Sequence, residues 1–132
     1  MNPATSADVT ATRSELPACR VRRVAQYIQD NVQRGVRLAE LSAVVHMSPF
    51  HFARLFKRST GVSPHRFLVR YRIDQARALL AAQTVPIAEI GRSVGFRTAS
   101  HFTTTFRRFT GVTPSAYRSG ARRQSSDGPT LQ

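Results

Sequence analysis

The segment from Met47 to Phe67, MSPFHFARLFKRSTGVSPHRF, aligns without gaps on the segment from Arg97 to Tyr117, RTASHFTTTFRRFTGVTPSAY. His51 meets His101, Phe52 meets Phe102, Phe56 meets Phe106, Arg58 meets Arg108, and Thr60-Gly61-Val62 meets Thr110-Gly111-Val112. Upstream, LAELSAVVHM from Leu38 pairs with IAEIGRSVGF from Ile87 after a slip of one residue, so one of the two turns is a residue longer than the other. A chain that writes one pattern twice must build one unit twice. Each copy has a short helix opening on Ala-Glu, a tight turn and a second helix, the helix-turn-helix order. Gly95 suits the left-handed backbone of such a turn, and His46 at the matching place belongs to the few other residue types enriched there. Glu40 and Glu89 fall in the first turns of matched helices, where a carboxylate offsets the helix dipole.

The rest of the chain also reads as helix. Val21, Val24, Ala25, Ile28 and Val32 form a stripe at helical spacing after Pro17, with Gly35 as its expected C-terminal cap. Ser63-Pro64 and Thr113-Pro114 each pair an N-cap with proline at the first helical position. The helix from Ser63 meets no glycine or internal proline before about Gln83, and at about 1.5 Å per residue it predicts a rod of roughly 30 Å. No alternating run argues for strands. The expected fold is all-α: two helix-turn-helix subdomains joined by a long linker helix. The divisions are a disordered arm over 1–16, a first subdomain over 17–62, the linker helix over 63–83, a second subdomain over 84–119 and a disordered tail over 120–132.

Charge narrows the function. Lys and Arg number 20 against 7 Asp and Glu, a formal net charge of +13 in 132 residues, and an excess of that size calls for an anionic partner. No stretch approaches the ~20 apolar residues needed to span a bilayer, which leaves nucleic acid ahead of membrane. The lone Cys19 forms no internal disulfide and no Cys-based zinc site, in keeping with a reducing cytoplasm. The first residues show no signal-peptide core, so a cytoplasmic location is expected. There is no glycine-rich phosphate loop, no nucleophile elbow and no carboxylate pair set against a histidine. The expectation is therefore no enzyme, no catalytic residue and no cofactor. His51 and His101 recur without acidic or thiol companions, so no metal site is expected.

The outward faces of the second helices carry the chemistry. At 100° per residue, Phe52, Leu55 and Phe56 gather on one side of the first, with Phe50, Ala53, Arg54 and Lys57 opposite. In the second copy Phe102, Thr105, Phe106 and Phe109 face inward, which leaves Ser100, Thr103, Thr104 and Arg107 outside and Thr98 and Ala99 at the leading end. Small and hydroxylated residues let a backbone approach base edges, and an exposed phenylalanine calls for a partner. Lys57, Arg58, Arg107 and Arg108 close the two helices, where cations suit the dipole and hold phosphates.

With these elements in place, the stretch from about Val21 to Arg118, ending in IAEIGRSVGFRTASHFTTTFRRFTGVTPSAYR, resembles the DNA-binding domain of the AraC/XylS family of bacterial transcription regulators. The resemblance implies two recognition helices in successive major grooves of double-stranded DNA. A rod of roughly 30 Å is compatible with the ~34 Å between equivalent grooves. It implies base reading by Phe50, Ala53 and Arg54 in the first unit and by Ala99, Ser100, Thr103 and Thr104 in the second, with Thr98 beside them. Lys57, Arg58, Arg107 and Arg108 correspond to phosphate contacts. Thr104 and Ala53 are shorter than the residues common in the family, so Arg54 is expected to carry most of the base discrimination. The chain resembles members without a sensing domain, and the initial Met1 and loose arm favour a complete chain over a fragment of a longer ligand-sensing regulator. Activation through RNA polymerase follows by analogy alone, and two units in one chain favour binding as a monomer. The rival from another class is a sequence-neutral nucleic-acid-binding protein that uses the same charge. A DNA-repair enzyme would need a reactive thiol, and Cys19 has no activating neighbour in the sequence.

Overall fold

A computed structural model describes residues 15–130, and among them every regular element is a helix. In chain order these are α1 (Ala18–Asn31), α2 (Leu38–Val44), α3 (Pro49–Thr60), α4 (Pro64–Ala82), α5 (Ile87–Ser93), α6 (Ala99–Thr110) and α7 (Pro114–Thr130). The described residues divide into two compact units, one running as far as Asn31 and again over Gly35–Val69, the other made of Val32–Arg34 and the chain from Arg70 on, so that α4 begins in the first and ends in the second.

The first unit packs around Val24, Ile28, Leu41, Val45, Phe52, Leu55, Phe56 and Leu68, all of them buried. Rings meet at the centre: Phe52 and Phe56 lie 5.4 Å apart, and Phe67 presents its edge to Phe56 at 5.2 Å. Tyr27 of α1 donates its hydroxyl proton to Oε2 of Glu40 at 2.6 Å, while Oε1 of the same carboxylate accepts from the Arg37 backbone N–H at 3.2 Å. Glu40 thus both caps α2 and ties it to α1, a larger role than the dipole offset its position suggests. The second unit repeats the centre with Phe102 and Phe106 at 5.7 Å and Tyr117 edge-on to Phe106 at 5.6 Å, joined by Ile73, Ala76, Leu80, Ile90, Val94 and Phe96.

Turns and caps repeat almost atom for atom. Met47 N–H donates to the Ser42 carbonyl at 3.0 Å, as Phe96 does to the Gly91 carbonyl at 2.9 Å. The residues before them, His46 and Gly95, have φ of 57° and 103°, the left-handed backbone that the sequence assigns to these positions. Gly61 and Gly111 close α3 and α6 at φ 87° and 86°. The hydroxyls of Thr60 and Thr110 each sit 2.8 Å from the carbonyl four residues back. The expected caps of α4 and α7 also form, with Ser63 Oγ accepting from Arg66 N–H and Thr113 Oγ1 from Ala116 N–H.

The copies differ where local packing differs. A Cβ at Gly91 would lie 2.7 Å from Phe102 Cδ2, so α5 and α6 approach closely only because that position lacks a side chain, whereas the matching Ser42 is buried with its hydroxyl on the Ala39 carbonyl. A Cβ at Gly95 would run into the Val32 carbonyl and lie 2.7 Å from Arg72 Nε, while His46 is exposed. Arg72 donates from Nη2 to the Arg34 carbonyl at 2.9 Å, and its burial lowers the guanidinium pKa by desolvation. Arg118 donates to the Val85 carbonyl at 2.6 Å. Its counterpart Leu68 has no such reach and instead lines a cleft of about 180 Å³ with Val36, Leu41, Ala53 and Pro64.

Three boundaries fall elsewhere than the sequence predicts. Helix α1 stops at Asn31, four residues before Gly35, and the Asn31 side chain there donates to the Tyr27 carbonyl at 2.8 Å. The arm predicted over 1–16 overlaps the described residues at Glu15 and Leu16, and Leu16 is buried, its backbone N–H and carbonyl both paired with Ser59 Oγ at 2.6 and 3.1 Å. Helix α7 is assigned as far as Thr130, across the stretch from Gly120 that the sequence reads as a polar tail. Residues 1–14 and 131–132 lie outside the described residues.

In urea titrations, Gly91→Ala and Gly95→Ala are each expected to lower the unfolding free energy by about 2 kcal/mol or more. The matched changes Ser42→Ala and His46→Ala should cost about 1 kcal/mol or less. Leu16→Ala should cost about 2–4 kcal/mol, a loss that an unattached arm would not show.

Candidate nucleic-acid interface

Helices α3 and α6 are the corresponding second helices of the two units, and both are set by the same local chemistry. Ser48 and Thr98, extended at φ −67° and −128°, accept from the backbone N–H of His51 and His101 at 3.3 and 3.0 Å. The opposite ends stop when Gly61 and Gly111 turn left-handed and donate to the Lys57 and Arg107 carbonyls at 2.8 Å. Burial of Phe52, Leu55 and Phe56 on one helix and of Phe102, Thr105 and Phe106 on the other decides which residues are left outside.

On α3 that outer stripe is Phe50, Arg54 and Lys57 at spacings of four and three, with Arg58 beside it, all exposed. Phe50 is 78% exposed, far more than Leu38 or Val112, the other large apolar residues open to solvent among the described residues. Ala53 is half-buried on the flank of α3 and faces the apolar cleft. On α6, Thr98, Ala99, Ser100, Thr104, Arg107 and Arg108 are exposed and Thr103 is half-buried. The hydroxyl oxygen of Thr98 accepts the cap hydrogen bond from His101 N–H.

Neither helix contains an acidic residue, and each ends in two cations: Lys57 and Arg58, then Arg107 and Arg108. Arg97, the extra residue in the longer turn, is exposed directly before the α6 cap. It adds a cation to the leading end of that helix, and the only sequence signal for it is the one-residue slip. The recurrent histidines have separate settings. His51 is exposed, and His101 lies edge-on to Phe96 with centroids 5.2 Å apart. Among the described residues no group of three or more His, Cys, Asp or Glu could hold a metal ion, and Cys19 is exposed. Among the same residues no helix is long and apolar enough to cross a membrane.

The family model described as a helix-turn-helix domain matches residues 41–120. The arabinose operon regulatory protein of Escherichia coli K12 is 35% identical over 109 residues, which are 82% of this chain and 37% of that protein. The chain spans between a third and two fifths of the length of that relative and of the regulatory protein PocR of Salmonella typhimurium, which is 34% identical over 118 residues. Among solved structures, the DNA-binding domain of the global transcriptional factor AdpA, in complex with a target DNA, superposes with a TM-score of 0.74 at 30% identity, covering 80% of this chain and 94% of that one. The C-terminal domain of AraT, a response regulator from Geobacillus stearothermophilus, gives 0.72 at 33% identity over 76% of this chain and 84% of its own. With two helix-turn-helix units, matching second helices and these relatives, the chain belongs to the AraC/XylS family through its helix-turn-helix DNA-binding domain.

Proposed function

We propose that this chain is a transcription regulator that reads an asymmetric sequence in double-stranded DNA, with α3 and α6 entering successive major grooves. The observation that supports it most is the contrast between two helices with the same caps and inner faces and different outer faces: Phe50, Arg54 and Lys57 against Ser100, Thr104 and Arg107. A protein that only neutralised phosphate would need charge at these positions and no such difference between its copies.

The roles divide by chemistry. Arg54, exposed on the second turn of α3, has the fork that pairs with guanine O6 and N7, a contact worth about 1–3 kcal/mol of discrimination. Phe50 and Ala53 accompany it on the first helix. Ala99, Ser100, Thr103 and Thr104 present small groups and hydroxyls on the second, with Thr98 beside them at the cap. Lys57, Arg58, Arg107 and Arg108 hold phosphates at the trailing ends. The chain acts as a monomer without cofactor or catalytic residue, and activation through RNA polymerase is carried over by analogy.

Selection from a random duplex library at about 150 mM salt tests the reading. The expected product is an asymmetric site with two short blocks about one helical turn apart, bound ~10³-fold or more above a scrambled duplex. Equal, salt-sensitive binding to both duplexes would mean sequence-neutral binding. Arg54→Ala should relax the preferred sequence at one position, and if it left the preference intact while Thr103→Ala changed it, the assigned ranking would be wrong. Lys57→Ala, Arg58→Ala, Arg107→Ala and Arg108→Ala should each weaken every duplex alike and flatten the salt dependence by about one counterion.

A further inference from the structure

We infer that the first reading helix senses the C5-methyl group of a pyrimidine, so that affinity for a site depends on thymine, or equivalently on 5-methylcytosine, at one defined step. The inference rests on the DNA reading proposed above and adds the chemical feature that α3 recognises.

Phe50 is the observation that carries it. Its ring is 78% exposed, and the matching position in the other unit is Ser100, so the fold does not require an aromatic there. A phenylalanine left in water by an otherwise well-packed unit gains only when something apolar covers it. Its neighbours one and two turns along the same stripe are Arg54 and Lys57, so whatever covers the ring is presented among anionic groups. The major groove of DNA meets both conditions. Its floor is polar except for the C5-methyl of thymine, which apolar side chains contact and which lies among phosphates. Methylation of cytosine places the same methyl at the same edge. Phe50 is the second residue of α3 after Pro49, at the helix end from which reading helices touch base edges. Arg54 lies four positions on, about 6 Å along the axis, which is close to two base-pair steps of about 3.4 Å. The methyl therefore belongs within about three base pairs of the guanine read by Arg54.

The test uses the whole chain and the duplex recovered by site selection. Each thymine near that guanine is replaced singly by deoxyuracil, which removes the methyl and keeps the pairing, and cytosine is exchanged singly for 5-methylcytosine. At one position the loss of a methyl is expected to weaken binding about three- to tenfold. If thymine there is first changed to cytosine, methylating that cytosine should recover affinity by a similar factor. Phe50→Ser, the residue its twin carries, should abolish the methyl dependence while helix content and melting stay unchanged. The inference is overturned if every deoxyuracil duplex binds within about twofold of the parent while sequence preference persists. It is also overturned if the methyl effect survives Phe50→Ser, which would assign it to another residue. Unchanged DNA binding by Phe50→Ser would overturn it too and assign the ring to a protein partner. Failure to select any site would overturn the sequence-reading function itself, and this inference with it.

Discussion

Two phenylalanines four residues apart on the inner face of each second helix are the constraint on which the rest depends. Phe52 and Phe56, and again Phe102 and Phe106, are completely buried. Residues four apart share one side of a helix, so sealing these rings into a small core fixes the rotation of α3 and α6 about their own axes. The outward residues have no freedom left once that is done. Fixing the rotation alone would let the helices slide, and the caps prevent it: Ser48 and Thr98 begin the helices, and Gly61 and Gly111 end them. Core and caps together hold a short stripe of side chains at a set angle, which a base-reading surface requires.

The copies show which parts of this device tolerate change. Caps, turns and the aromatic pair are kept, whereas the supports vary with what each unit must pack against. Gly91 has no room for a side chain beside Phe102, but Ser42 fits its own unit. Arg118 reaches the Val85 carbonyl where Leu68 leaves a cleft. Ser59 clasps the backbone of Leu16 where the second unit carries Phe109. These differences change the walls of each unit and leave the reading stripe free to diverge, so one chain presents two unlike surfaces on one scaffold.

Electrostatics follows the same division. None of the seven acidic residues of the chain falls within α3 or α6, and Glu40 is engaged in holding α1 to α2. Neither helix therefore carries a charge of its own that would repel a polyanion, and the excess of cations acts over the Debye length to favour encounter with one. Charge of this kind draws the chain to any duplex. On the proposed reading, discrimination falls to the few outward groups that can tell one base edge from another.

Much of the fold was legible because it rests on local rules. The repeat, the proline-led helices with their Ser and Thr caps, the left-handed turns at His46 and Gly95 and the inward Phe pairs all follow from residue chemistry within a few positions of each other. The outward stripe was legible for the same reason, since a 3.6-residue period determines which residues are opposite a buried pair. Contacts between distant residues were beyond that reach. Nothing near Leu16 signals that Ser59, 43 positions on, accepts its backbone, and nothing near Gly35 shows that α1 has already ended at Asn31. The half-burial of Ala53, the steric need for Gly91 and the anchoring of Arg118 likewise emerge only when helices from separate parts of the chain come together. Sequence by itself determined the elements and the faces they offer, through short-range backbone and side-chain preferences. Only tertiary packing decided how far each face is open, because exposure depends on what the rest of the chain brings against it.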